Sequence, residues 1–197
     1  MKSLKIKTFK MTLPFLLLII LFTSACAQSD KKTTAQNNSE IKSTAVKPSV
    51  DINTAVISGN LEAVKQHIEA GTDINQKEPM SGSTPLMSAA TFNKPEIAKA
   101  LIDAHADLSI KNNDGATSLH SAAFFGRIEI VQMLIDAKAD KTIKNNFGAT
   151  PRESVLGDFA EMQPVYEMII QQLKPMGFTL DMNELKEARP IVAMMLE

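Results

Sequence analysis

The sequence predicts an all-α solenoid of about four helix–turn–helix units, joined by hairpin-like loops and closed by C-terminal capping helices. Three observations lead there. First, the chain repeats itself: Thr84, Thr117 and Thr150 fall at a constant step of 33, as do Gly82, Gly115 and Gly148. A period of 20 to 50 residues is the mark of stacked units. Second, apolar residues inside each copy recur at helical spacing, as at Ile97, Ala98, Leu101 and Ile102, and again at Ile128, Val131, Leu134 and Ile135. Third, the turn sequences "KNNDG" and "KNNFG" punctuate the copies.

The chain begins with Lys2, Lys5, Lys7 and Lys10 and then runs through "LPFLLLIILF", Leu13 to Phe22. Those ten apolar residues are too few for a span, which needs ~20. A basic start, a short apolar block and small residues after it read as a secretory signal. The small residues are "TSAC", Thr23 to Cys26, and Cys26 is the only cysteine, so no internal disulfide can form. The stretch resembles the lipobox of bacterial lipoproteins, in which cleavage precedes a lipid-bearing Cys. Thr23 departs from the usual Leu. The resemblance implies residues 1–25 as signal peptide, Cys26 as lipid-attachment site, and an exported chain anchored at the cell envelope, facing the periplasm or the cell surface. Residues 26–49 carry no aromatic and no Gly. They read as a polar tether that would span on the order of 25 Å.

Removing the signal leaves 17 basic residues against 22 acids, a net charge of −5. An acidic domain without a Lys/Arg stripe argues against nucleic-acid binding.

The folded units follow. "SGSTPLMSAATFNKPEIAKALIDAHADLSIKN" starts at Ser81 and "DGATSLHSAAFFGRIEIVQMLIDAKADKTIKN" at Asp114. An earlier copy starts at Asn53, and a fourth begins "FGATPRESV" and then degrades. Thr84 is an expected N-cap and Pro85 suits the first turn. Asn93 and Gly126 break the first helix of their copies. One unit cannot bury both of its helices, so neighbours stack. In the fourth copy "GDFAEMQP" reads as an insertion before "VYEMIIQQL". Beyond Leu173, residues 174–197 read as a cap segment, with Asp181 and Glu184 spaced as in a capping box. The apolar tail Ile191 to Leu196 is expected to lie on the last repeat.

"STPLMSAA" and "ATSLHSAAFFG" resemble the signature of the ankyrin repeat, and the resemblance covers residues 50–173. Ser118 replaces the signature Pro, Met87 its His, and Arg152 its Leu. The resemblance implies a protein-binding module, not an enzyme, with no cofactor. A monomer is expected, with one protein partner that is not named by the sequence. It also implies that His120 bonds backbone between repeats, and that His105 and Lys138 occupy the left-handed position held by Gly71 in the first copy. His67 reads as a surface or packing residue. No His pair has metal-ligand spacing, and neither a phosphate loop nor a Gly-x-Ser-x-Gly elbow is present. The late methionines (Met162, Met168, Met176, Met182, Met194, Met195) read as core filler.

In the family, the positions between "AA" and "G" point to a concave face. Here they include Ile57, Thr91, Phe92, Phe124 and Phe125. The loop tips are Met80 and Ser81, Asn113 and Asp114, Asn146 and Phe147. Adjacent residues on a helix face different ways. One of Phe124 and Phe125 is therefore expected to pack on a neighbouring repeat and the other to meet a partner. Phe92 and Phe147 complete the expected aromatic strip. The runner-up reading is an accessory or immunity-type factor for one periplasmic enzyme or toxin; a metal or haem chaperone using the late methionines ranks third.

Overall fold

The computed structural model describes residues 48–197, all helical apart from turns and loops. The signal, Cys26 and nearly all of the tether lie outside the described residues.

Three helix pairs open the chain: α1 (Ile52–Ser58) with α2 (Leu61–Glu69), α3 (Pro85–Thr91) with α4 (Pro95–Asp103), and α5 (Ser118–Phe124) with α6 (Ile128–Asp136). Local chemistry sets their ends. Asp51 caps α1 by accepting from the Thr54 amide at 3.0 Å. The Thr84 hydroxyl accepts from the Met87 amide, and Pro85 follows at the first helical position. The turns between paired helices need a left-handed residue, and Gly59, Asn93 and Gly126 supply it at φ 77°, 53° and 64°. The outer helices end the same way at Gly71, His105 and Lys138, with φ 69°, 62° and 66°. The last two are the strained non-glycine ends expected from the repeat alignment.

The inner helices α1, α3 and α5 form one layer and the outer helices α2, α4 and α6 a second. Alanines 55, 89, 90, 98, 122 and 123 have no exposed surface, which lets the layers approach closely. Leu86, Leu101, Leu119, Ile130 and Leu134 fill the space between them.

The fourth unit differs from the sequence expectation. Its inner helix shrinks to a single 3-10 turn, Glu153–Val155. The helix that follows, α7 (Phe159–Leu173), does not take the outer position. That place belongs to α8 (Met182–Met195), which packs on α6, α5 and the 3-10 turn. Val192, Ala193 and Leu196 join the main core, so the segment after 173 completes the fourth unit. Residues from Gly157 to Asp181 are thus an arm inserted between the two halves of that unit. Tyr166 is the one fully buried residue of α7.

Candidate partner-binding surface

The loop tips form a fixed platform. The Asn113 amide donates to Ser81 O at 2.9 Å, and its side-chain Nδ2 donates to Met80 O at 2.9 Å. Asn146 repeats this one unit later, to Asp114 O and Asn113 O. Each Asn rides over a glycine of the preceding tip. A Cβ on Gly82 would stand 2.5 Å from Asn113 Oδ1, and one on Gly115 would stand 2.4 Å from Asn146 Oδ1. Glycine is needed there for close approach as well as for φ. Asn112 and Asn145 close the tips from within, each side chain accepting from two amides. On this platform Met80 is 90% and Phe147 82% exposed. Ser81, Asn113, Asp114 and Asn146 are exposed beside them.

His120 ties the platform to the helices. Its Nδ1 meets the Thr117 amide and hydroxyl, and its Nε2 meets Ala149 O of the next unit at 3.1 Å. Burial holds its pKa below the usual imidazole value, opposed by the Ala149 bond. This is the inter-repeat role that the resemblance implies. His67 is 1% exposed and bonded to Val50 O and Thr72 Oγ1, so it is a packing residue and not a surface one.

The inner-helix ends depart from the expectation. Phe92, Phe124 and Phe125 are not an open strip, because the inserted arm lies over them. Phe178 of the arm is 3% exposed and stands edge-on to Phe92 (5.8 Å) and Phe125 (5.3 Å). Phe125 itself is buried. Phe124 is half-buried, with the Tyr166 ring 4.7 Å from its own and the Tyr166 hydroxyl donating to its carbonyl at 3.0 Å. Both rings of the pair therefore have intramolecular partners. Phe147 sits apart from them on a loop tip. Ile57 and Thr91 are half-buried on α1 and α3.

Two arginines pin the arm by its backbone carbonyls. Arg189 of α8 is 3% exposed; it donates to Gly157 O and to the Tyr166 hydroxyl, both at 2.7 Å. Arg127 donates to Thr91 O and Thr179 O, each at 3.3 Å, with its guanidinium 5.9 Å from the Phe178 ring. Burial pulls the Arg127 pKa down to about 10, opposed by Glu184. Burial also pushes the Tyr166 phenol up, opposed by the charge and the hydrogen bond of Arg189. Sequence reasoning passed over Arg127, Arg189 and Tyr166. The one available signal was their place: the chain's only tyrosine, and an arginine within an otherwise apolar helix face.

The late methionines divide: Met168, Met176 and Met194 are 52%, 46% and 64% exposed, whereas Met162 and Met182 are half-buried and Met195 packs against the core as expected. Among the described residues no group of three His, Cys, Asp or Glu side chains is placed to hold a metal ion.

The described residues thus form a helical solenoid with locked loop tips and exposed apolar side chains on them. Residues 52–145 match the family of ankyrin repeats, in three copies. The chain is 44% identical over 64 residues to the human and mouse proteins called protein phosphatase 1 regulatory subunit 27, covering 32% of this chain and 41% of theirs. It thus spans less than half the length of these curated relatives. The crystal structure of the ankyrin repeat domain of Bcl-3, a member of the IkappaB protein family, matches with a TM-score of 0.51 at 29% identity, over 52% of this chain and 45% of that one. Residues 52–145 of this chain are ankyrin repeats, a fold that implies a protein-interaction module.

Proposed function

We infer that the protein is a membrane-anchored adaptor that binds one partner in the cell envelope and performs no chemistry on it. The observation that carries this reading is the loop-tip platform. Met80 and Phe147 expose almost their whole side chains on backbone fixed by Asn113 and Asn146. Rigid apolar anchors lose little freedom on binding, so their contact area converts well into affinity. Thr91, Ile57 and the half-buried edge of Phe92 and Phe124 extend the surface along the inner helices. Their role is narrower than an open aromatic strip would allow. The anchor rests on the "TSAC" resemblance at Cys26, and the polar tether would hold the domain off the membrane.

The name of the curated relatives favours one version of this reading, in which the bound partner is an enzyme whose activity is adjusted by the contact. That agrees with the accessory-factor alternative and leaves the binding surface unchanged.

The test has two arms. Cys26→Ser should abolish membrane partitioning and palmitate labelling; labelling that persists refutes the anchor. Phe147→Ser and Met80→Ser should each weaken capture of the native partner from solubilised envelope by about tenfold, since burying such a side chain contributes on the order of 2 kcal/mol. Undiminished capture by the double variant would remove the platform from the interface.

A further inference from the structure

The arm fills a cleft in the repeat body much as a bound peptide would. Phe92 and Phe125 end the inner helices α3 and α5 and form two walls, with the Phe178 ring edge-on to them at 5.8 and 5.3 Å. The Arg127 guanidinium makes a third side, 5.9 Å from the centre of the Phe178 ring. It also donates to Thr179 O, so the backbone beside the ring is gripped together with the ring. A buried aromatic anchor is the kind of group that carries most of the affinity at contact surfaces.

The fit is incomplete on its polar side. The bonds of Arg127 to Thr91 O and Thr179 O are both 3.3 Å, just beyond the usual N–H···O range. Its Nε is buried and has no acceptor among the described residues. Glu184 opposes the fall of the Arg127 pKa but does not come within 4.0 Å to pair with it. A buried donor left unmet weakens the hold of whatever occupies the cleft. The rest of the arm adds little: from Gly157 to Asp181 only Tyr166 and Phe178 are buried. Gly177, directly before the ring, has φ 81° and open space where a Cβ would stand. The segment can turn there without meeting the body. Lifting Phe178 out leaves α8 in place, because Leu185, Val192 and Leu196 hold it by burial of their own.

We propose that the cleft of Phe92, Phe125 and Arg127 is a recognition site for a phenylalanine on an extended segment of a partner protein, and that residues 177–180 occupy it when the partner is absent. The arm is then an intramolecular competitor. It lowers the partner's apparent affinity by the fraction of chains in which the cleft is closed. A partner segment that also brings an acceptor to Arg127 Nε outcompetes the arm. The proposal rests on the reading of the protein as a binding module, but its site is separate from the loop tips, so either surface can fail without the other.

The probe is a fluorescent peptide of residues 174–181, KPMGFTLD, titrated against the full chain in detergent and followed by anisotropy. The wild-type chain should bind it weakly, because its own arm fills the cleft. Phe178→Ala empties the cleft and should bind the peptide at least tenfold more tightly. That variant also loses stability, so Gly177→Ala is its companion. The added Cβ meets nothing and acts only through left-handed strain, which should open the arm and tighten peptide binding by about tenfold. A peptide with Ala in place of the Phe should bind neither variant, and Phe147→Ser should leave peptide binding unchanged. Three outcomes overturn the proposal: no saturable binding to either variant at about 1 mM peptide, equal binding of the Phe and Ala peptides, or binding no tighter in both variants than in the wild-type chain. Reduced capture of the native partner by Phe147→Ser would still uphold the loop-tip platform in any of these cases.

Discussion

Phe178→Ala should detach the arm. The ring is 3% exposed and fills the space between Phe92 and Phe125. Truncating a buried Phe to Ala costs about 3–5 kcal/mol when the cavity does not collapse. Here that figure already contains two edge-on aromatic pairs, each worth about 0.5–1.5 kcal/mol, and an exposed-type cation–π contact of about 0.5–1 kcal/mol from Arg127. The walls of the hole are rings fixed to the C-terminal ends of α3 and α5, so collapse is limited. A loss near 3 kcal/mol follows, from a total of about 5–15 kcal/mol. With a urea slope of about 2 kcal/mol/M the midpoint should fall by about 1.5 M. The companion is Met176→Ala, two residues away and 46% exposed, which should stay within about 0.5 kcal/mol. Limited proteolysis at Gly157 and Gly177 then separates release of the arm from global loss. A Phe178→Ala midpoint no lower than that of Met176→Ala, with no new cleavage, would refute the view that Phe178 wedges the arm in place.

Further outcomes are expected. His105→Gly and Lys138→Gly relieve left-handed strain of about 1–2 kcal/mol per residue, offset in part by about 0.4–1 kcal/mol of unfolded-chain entropy, so both should melt slightly higher; equal or lower melting in both refutes the strain. Asn146→Ala removes the hydrogen bond to Asn113 O and should cost about 1 kcal/mol, with faster amide exchange at residues 145–148 as the readout; unchanged exchange would show that the tip holds itself. His120 has its pKa lowered from 6.5 by burial, so the unfolded chain takes up the proton first. Its contribution is complete above about pH 6.5 and is lost as pH falls through that value. His120→Gln should flatten the melting profile between about pH 6.5 and 5, above the range in which carboxylates such as Asp51 begin to act; a slope unchanged in the variant would assign it to another group.

The repeat body was legible because its determinants are local and recur. Thr84 caps its helix, Gly82 and Gly115 accept the next asparagine, and His105 and Lys138 sit where register demands a left-handed residue. Each can be read from a window of a few residues plus the period. The fourth unit was not legible for the same reason. Tyr166, Ile169, Ile170 and Leu173 in α7 have the spacing of an outer helix, and so do Leu185, Ala188, Val192 and Leu196 in α8. A hydrophobic period shows that a helix has a face and does not show which neighbour covers it. The choice was made by long-range contacts, Arg189 to Gly157 O and Tyr166, and Arg127 to Thr179 O.

Those contacts also decide what the paired phenylalanines do. An aromatic pair at the end of an inner helix reads as a binding anchor when only the repeat is considered, because nothing inside the repeat covers it. The chain covers it instead with residues inserted between the halves of its last unit. An insertion at that point leaves the earlier units undisturbed, since α8 still reaches α6 and closes the core with Val192 and Leu196. It also leaves Met80 and Phe147 on the loop tips as the most exposed large apolar side chains among the described residues. The loop-tip surface on which binding is proposed is therefore one that the arm leaves uncovered. Mutations that release the arm should alter stability first, and should alter binding only where a partner competes for Phe92, Phe124 or Phe125.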